Sequence, residues 1–373
     1  MFRLVISIFF FLLSLLAFVK APTNILWKLS IAVLEWGQYF AVIAFALLAV
    51  NLDGGKHSRI SAIINLASIL LFLSPTIRAY MNKSFYEKQI VKIFPTENKT
   101  VRQHALSLKE LYYGLDYRNQ QPVEYVFDQE HQLKIDYYAT SHKNAPCIVV
   151  VHGGAWSSGD NKQLFKLNPY LAQRGYAVFA ISYRLAPKFT YNMQMEDVLN
   201  AIQWVKNNSQ MLNVDGNKIV LLGRSAGAQL AQQAAYSHID KDVKGVISFY
   251  CPADLVWGYS VPGNKWIMDS RKVLDEFIGA SAFDREDLYA AASPAYHITE
   301  KCPPTLLLHG RPDVMVAWEH SRRVNQKLGL AGVKHFFVDL PGATHGYDFA
   351  FNGPSSQISL FAIEHFLANV CEN

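Results

Sequence analysis

Apolar residues fall along the chain in two regimes that meet near Tyr80. Before that point they form long runs. A 16-residue stretch between Arg3 and Lys20 is interrupted by serines alone, Leu29 to Val50 is long enough to cross a bilayer, and Ile60 to Ile77 borders on that length. The runs predict three transmembrane helices and a membrane region over residues 1–80. A cleaved signal peptide competes for the first run, which has a basic start and an apolar middle. Its end, AFVKAPT, offers no good small-residue cleavage site, and two further apolar runs follow. Glu35 lies near the start of the second run, where a carboxylate is expected at the bilayer interface because deeper placement is costly.

Residues 81–118 are mixed in character and read as a helical linker or partial cap. Over 119–373 short apolar runs alternate with amphipathic stretches. PVEYVFD and QLKIDYYA flank an Asp-Gln-Glu-His turn and predict an antiparallel hairpin. APCIVVV, YAVFAISY, KIVLLG, VKGVISFY and PPTLLLH are short and rich in branched and aromatic side chains, the pattern of strands buried on both faces. MEDVLNAIQWVKNN and AGAQLAQQAAYS read as helices between them. The alternation predicts an α/β fold, a mostly parallel sheet covered by helices, preceded by an all-α transmembrane region. Sheets of this kind bind ligands beyond the carboxyl ends of their strands, so chemistry is sought there first.

Charge narrows the function class. The net charge of +5 over 373 residues sits in no continuous basic block, which argues against nucleic-acid binding. Cys147, Cys251, Cys302 and Cys371 stand far apart, without the spacing of a zinc or redox site, and read as buried free thiols suited to a reducing compartment. No histidine, cysteine and carboxylate cluster has metal-ligand spacing, and no glycine-rich phosphate loop is present, so no metal or cofactor is expected. With three spans, Arg3, Lys56 and Arg59 share one side of the bilayer, and Lys20, Lys28, Arg78, Lys83 and Lys88 share the other with the α/β domain. The positive-inside rule then places that domain in the cytoplasm, in a multi-pass membrane protein.

Three strand ends carry candidate chemistry. KIVLLGRSAGAQLA sets Gly223, Ser225 and Gly227 as G-x-S-x-G between a strand and a helix, where a sharp turn lifts the serine oxygen clear of the sheet. Alone the pentapeptide is also an ordinary glycine-rich turn. IVVVHGGAW places Gly153 and Gly154 after an earlier strand. Their N–H groups, with that of Ala226, suit an oxyanion hole, whereas His152 reads as structural. LLLHGRPDVMV carries Asp313, and LPGATHGYDF carries His345 in a later loop. A serine hydroxyl needs a base, and an imidazole base needs a carboxylate to fix its tautomer and stabilise its cation. Ser225, Asp313 and His345 occur in the order that α/β-hydrolases use. Asp254 and Asp348 are alternative carboxylates that read as loop residues, and His309 reads as a packed turn residue. Trp156, Tyr183 and Trp257 are candidate substrate-binding aromatics, and the stretch from Trp257 to Trp266 is a candidate cap.

The strings HGGAW, SYRLAP, GRSAG, HGRPD and ATHGYDF, spread over roughly residues 120–370, resemble the hormone-sensitive-lipase-like and carboxylesterase-like group of the α/β-hydrolase superfamily. The overall plan of a membrane region followed by a hydrolase resembles isoprenylcysteine methylesterases. The resemblance implies a membrane-anchored serine hydrolase that cleaves carboxylic esters, with a small-molecule or lipid-like ester and the lipid bilayer as its partners. It implies a structural Arg184–Asp197 pair. Two positions depart from the group: Ala155 stands where a third glycine is common, and Arg224 where an acidic residue is common. An acyltransferase using the same acyl-enzyme, or a catalytically silent binding protein on the same fold, would carry the same strings.

Overall fold

The computed structural model describes residues 2–50 and 56–372. Met1, residues 51–55 and Asn373, which fall in the expected ranges 1–80 and 119–373, lie outside the described residues. In chain order the helices are α1 (Phe2–Ser14), α2 (Asn24–Glu35), α3 (Gly37–Val50), α4 (Lys56–Ile93), α5 (Leu108–Tyr113), α6 (Leu167–Ala172), α7 (Tyr191–Leu212), α8 (Ala226–Ser237), α9 (Leu255–Ser260), α10 (Ser270–Ile278), α11 (Glu286–Ala291), α12 (Glu319–Leu330) and α13 (Pro354–Glu372). The strands are β1 (Val123–Asp128), β2 (Leu133–Tyr138), β3 (Ala145–Val151), β4 (Ala177–Ile181), β5 (Val214–Arg224), β6 (Val243–Phe249), β7 (Thr305–Gly310) and β8 (His335–Leu340).

The strands form one sheet in the order β1-β2-β4-β3-β5-β6-β7-β8. The expected hairpin pairs β1 with β2, β2 pairs antiparallel with β4, and every later neighbour is parallel. After β3 the chain adds β4 on one side and β5 on the other. The order therefore reverses between β3 and β5, and a crevice opens beyond their carboxyl ends. Successive side chains of β3 alternate between two cores. Val149 and Val151 pack with α7, α8 and α12 through Val198, Leu230 and Val324. Ile148 and Val150 pack on the other face with α6 and α13 through Leu171, Phe361 and Phe366. β8 has no counterpart among the strands expected from sequence. It is an edge strand, half-buried over most of its length, so HFFVDL lacks the continuous apolar run of its neighbours.

The N-terminal helices depart from three straight spans. The second apolar run breaks at Trp36 into α2 and α3, which meet at 84°. Gly37 permits the bend, because a Cβ there would sit 2.1 Å from the Phe72 carbonyl oxygen of α4. Glu35 is not at a lipid interface: it is fully buried in protein, and its carboxylate accepts the Ser355 N–H at 3.1 Å at the start of α13. The third run belongs to a 38-residue helix, far longer than Ile60 to Ile77. That helix passes through the expected boundary at residue 80 without a break, and its Tyr86 and Ile90 belong to the core beneath the sheet. Among the described residues one helix, His57–Ile93, is long and apolar enough to cross a membrane, and α2 with α3 qualifies only as a broken span. The count of three straight spans, and the cytoplasmic orientation deduced from it, therefore loses its premise.

Candidate active site

Ser225 stands between the end of β5 and the start of α8 with φ 52° and ψ −119°. That backbone region costs a non-glycine residue about 1–3 kcal/mol, and the surrounding packing must hold it there. A Cβ on Gly223 would lie 2.3 Å from the Gly227 carbonyl oxygen, and one on Gly227 would lie 2.2 Å from that of His152. Both glycines are needed because α8 sits directly on the ends of β3 and β5. The Ser225 N–H is held by the Phe249 carbonyl at 2.9 Å, which fixes the turn to β6.

The loop after β8 brings His345 over this turn, with Nε2 3.0 Å from Ser225 Oγ. Its Nδ1 lies 2.8 Å from Asp313 Oδ2, beyond the end of β7. A carboxylate partner requires Nδ1 to carry the proton, which leaves the Nε2 lone pair facing the hydroxyl. Asp313 Oδ1 accepts the Met315 and Val316 N–H groups, each at 2.9 Å. His309 Nε2 stands 3.2 Å from Asp313 Oδ2. Burial opposes ionisation of Asp313, but the charge and hydrogen bonding of His345 and His309 outweigh it and hold the carboxyl well below the usual carboxylate range. His309 thus supports the carboxylate and makes no contact with Ser225 among its hydrogen bonds, which go to Ser321 and Val316.

The other carboxylates are engaged elsewhere. Asp254 caps α9 through the Trp257 N–H and pairs with Arg323 at 2.8 Å. Asp348 receives Arg224 Nε at 2.6 Å and the Tyr250 hydroxyl at 2.5 Å. The arginine beside Ser225 is therefore already neutralised. Arg184 Nε lies 2.9 Å from both carboxylate oxygens of Asp197, the pair that the SYRLAP string implies.

On the opposite side of Ser225, Gly153 and Gly154 follow β3. Gly154 has φ 119°, and a Cβ there would fall 2.0 Å from the Ser158 carbonyl oxygen. The Gly153 N–H donates to Gln163 Oε1 at 2.7 Å, a contact that no motif announces. His152 packs face to face on Tyr183, with ring centroids 4.2 Å apart, and burial lowers its pKa to about 4, so the ring is neutral. Tyr183 donates its hydroxyl to the His152 carbonyl at 3.0 Å. It braces the turn from behind and does not line the cavity, contrary to its expected substrate contact. Trp257 is displaced likewise. The cavity face of α9 is Leu255 and Gly258, three residues apart, and the Trp257 ring turns off that face against His320 and Arg323. Trp156 does line the cavity, stacked on Phe277 and donating Nε1 to Gln229.

The cavity above Ser225 has a volume of about 830 Å³. Its far wall includes Val261, Met268 and Leu274, so part of the expected cap segment reaches the site. Its lining also includes Trp27 and Ile31 of α2 and Trp36 at the break after it, the last two of which the sequence placed in a membrane span. Among the described residues no group of three or more histidine, cysteine or carboxylate side chains could hold a metal ion.

Residues 133–328 match the family BD-FAE. Esterase LipQ of Mycobacterium tuberculosis is 31% identical over 222 residues, covering 56% of this chain and 52% of LipQ. Isoprenylcysteine alpha-carbonyl methylesterase ICME of Arabidopsis thaliana is 26% identical, over 59% of this chain and 56% of its own. The chain thus spans about half the length of the curated relatives it matches. Among solved structures, a thermophilic esterase of the Planctomycetes species Thermogutta terrifontis is 27% identical with a TM-score of 0.51, covering 61% of this chain and 84% of that one. With a family match over more than half its residues, on a largely parallel sheet with a serine at the turn after β5, the chain belongs to the BD-FAE family of α/β-hydrolases.

Proposed function

We propose that the protein is a serine hydrolase of carboxylic esters with Ser225, His345 and Asp313 as its catalytic triad. The observation that carries this is the continuous hydrogen-bond chain from Asp313 Oδ2 through both ring nitrogens of His345 to Ser225 Oγ. His345 Nε2 takes the hydroxyl proton as Ser225 Oγ attacks the ester carbonyl, and the charge of Asp313 stabilises the imidazolium. The N–H groups of Ala226, Gly154 and Gly153 receive the oxyanion, the last once Gln163 Oε1 releases it. The tetrahedral intermediate collapses with proton transfer from His345 to the leaving alcohol. Water, activated by the same imidazole, then attacks the acyl-enzyme and releases the acid. The esterase names of the relatives support ester cleavage as the reaction. Ser225→Ala should abolish hydrolysis of p-nitrophenyl esters and labelling by a fluorophosphonate while the thermal transition of the fold stays in place. Hydrolysis retained by that folded variant would refute the assignment.

The same proposal anchors the protein to a bilayer through its N-terminal helices. The outward faces of α1, α3 and α4 expose Phe9, Leu12, Phe45, Ile63, Leu66 and Leu70, far more contiguous apolar surface than water tolerates. Release of the full chain from membranes by alkaline carbonate, without detergent, would overturn the anchor.

A further inference from the structure

We infer that α2 is a substrate-binding element of the active site, and that its inner face receives the long apolar chain of a lipid-like ester. The inference rests on Ser225 as the esterase nucleophile and adds what that site accepts. Trp27, Lys28, Ile31 and Ala32 share one face of α2 and line the cavity, joined by Trp36 at the break that ends the helix, while Leu26 and Val33 turn the opposite way into the N-terminal bundle. From Trp27 to the break at Trp36 this wall extends roughly 13 Å along the helix axis, many times the reach of an acetyl group.

Contacts at three places fix α2 to the hydrolase body. At its start, the Asn24 N–H donates to the Trp266 carbonyl at 3.1 Å, and the Asn264 amide returns a hydrogen bond to Pro22 at 2.9 Å. In its middle, Trp27 Nε1 donates to the backbone carbonyl of His345 at 3.0 Å. At its end, Glu35 binds the start of α13. The helix is therefore a fixed wall whose register relative to the triad is set. A cavity of about 830 Å³ lies near the top of the usual 300–1,000 Å³ range, and a short acyl ester would leave most of the α2 wall uncovered. An apolar chain laid against Ile31 and Trp36 removes that surface from water.

The full chain in detergent is assayed with p-nitrophenyl acetate and p-nitrophenyl laurate. Wild type should prefer the laurate in kcat/KM. Ile31→Trp, which fills the wall, should lower kcat/KM for the laurate at least roughly tenfold and change the acetate by less than about twofold. Ile25→Trp, on an outward position 72% exposed, should change neither, which controls for partition of the long ester into micelles. Equal losses on both esters, or a wild type that cleaves acetate and rejects laurate, would overturn the inference while leaving the esterase intact. A wild type that cleaves neither ester and leaves Ser225 unlabelled by a fluorophosphonate would instead bring down the esterase proposal beneath it. If Ile31→Trp does not fold, Ile31→Ala serves: a several-fold loss confined to the laurate supports the inference, and equal effects on the two esters refute it.

Discussion

Arg224→Met tests whether the ion pair beside Ser225 holds the site together. The Arg224 and Asp348 side chains are 3% and 8% exposed, with Nε 2.6 Å from Oδ2. Methionine keeps most of the volume and removes the cation, which leaves a buried carboxylate with the Tyr250 hydroxyl as its remaining donor. That hydroxyl stays protonated, since burial and then the charge of Asp348 raise its pKa well above the ordinary tyrosine value. Removing one partner of a buried pair costs about 3–5 kcal/mol, chiefly because the other charge is stranded. At about 2 °C per kcal/mol for a unit of this size, the melting temperature should fall by about 6–10 °C. Arg224→Met/Asp348→Asn removes both charges and keeps an acceptor for Tyr250, so it should recover most of the loss. Thermal unfolding in detergent of the wild type, both single variants and the double variant completes the cycle. A single variant within about 1 °C of wild type, or a double variant as unstable as Arg224→Met, would show that stranded charge is not what the pair prevents.

Two further outcomes follow from the geometry of the site. Gly227→Ala places a Cβ 2.2 Å from the His152 carbonyl oxygen and 2.3 Å from that of Val151. It should cost at least about 1–3 kcal/mol and depress kcat/KM as α8 retreats with the Ala226 N–H. Gly263→Ala, whose Cβ meets nothing closer than 3.9 Å, should be neutral, and equal behaviour of the two in thermal unfolding and turnover would refute the packing argument. His320 sets a pH dependence: burial, and next the charge of His309, lower its pKa from 6.5 to about 3, so the folded protein keeps it neutral where the unfolded chain takes a proton. Its contribution is therefore intact above about pH 6.5 and is lost as pH falls towards 3, at up to about 1.4 kcal/mol per pH unit. Chemical denaturation between pH 6 and pH 4 should show a flatter slope for His320→Asn than for wild type, and parallel slopes would exclude the effect.

The strand-end geometry was legible in sequence because it is locally encoded. Gly223 and Gly227 are demanded by contacts within the turn and with the neighbouring strand end, and HGRPD and ATHGYDF announce their loops by composition. The aromatic residues were harder for a physical reason. Trp156, Tyr183 and Trp257 all lie close in sequence to site motifs, but nearness along the chain does not decide which side of a turn a ring occupies. Tyr183 went behind His152, Trp257 off the α9 face, and Trp156 into the wall. Gln163 carried no signal, since an amide ten residues beyond Gly153 becomes its partner only when the loop folds back.

The N-terminal region shows the deeper ambiguity. Hydropathy measures what a side chain avoids and is silent about what replaces the water. Phe45 is mostly exposed, Val33 meets the bundle and Ile31 meets a cavity, yet all three stand in the same apolar run. Only contacts made across the fold separate these fates, and the decisive one joins Trp27 to His345, 318 positions apart. A division of the chain at residue 80, where composition changes, would cut α4 above Tyr86 and Ile90 and remove the indole that holds the His345 carbonyl. The helices that look like an appendage in sequence are therefore part of the cavity wall, and the cavity above Ser225 is complete only with them in place.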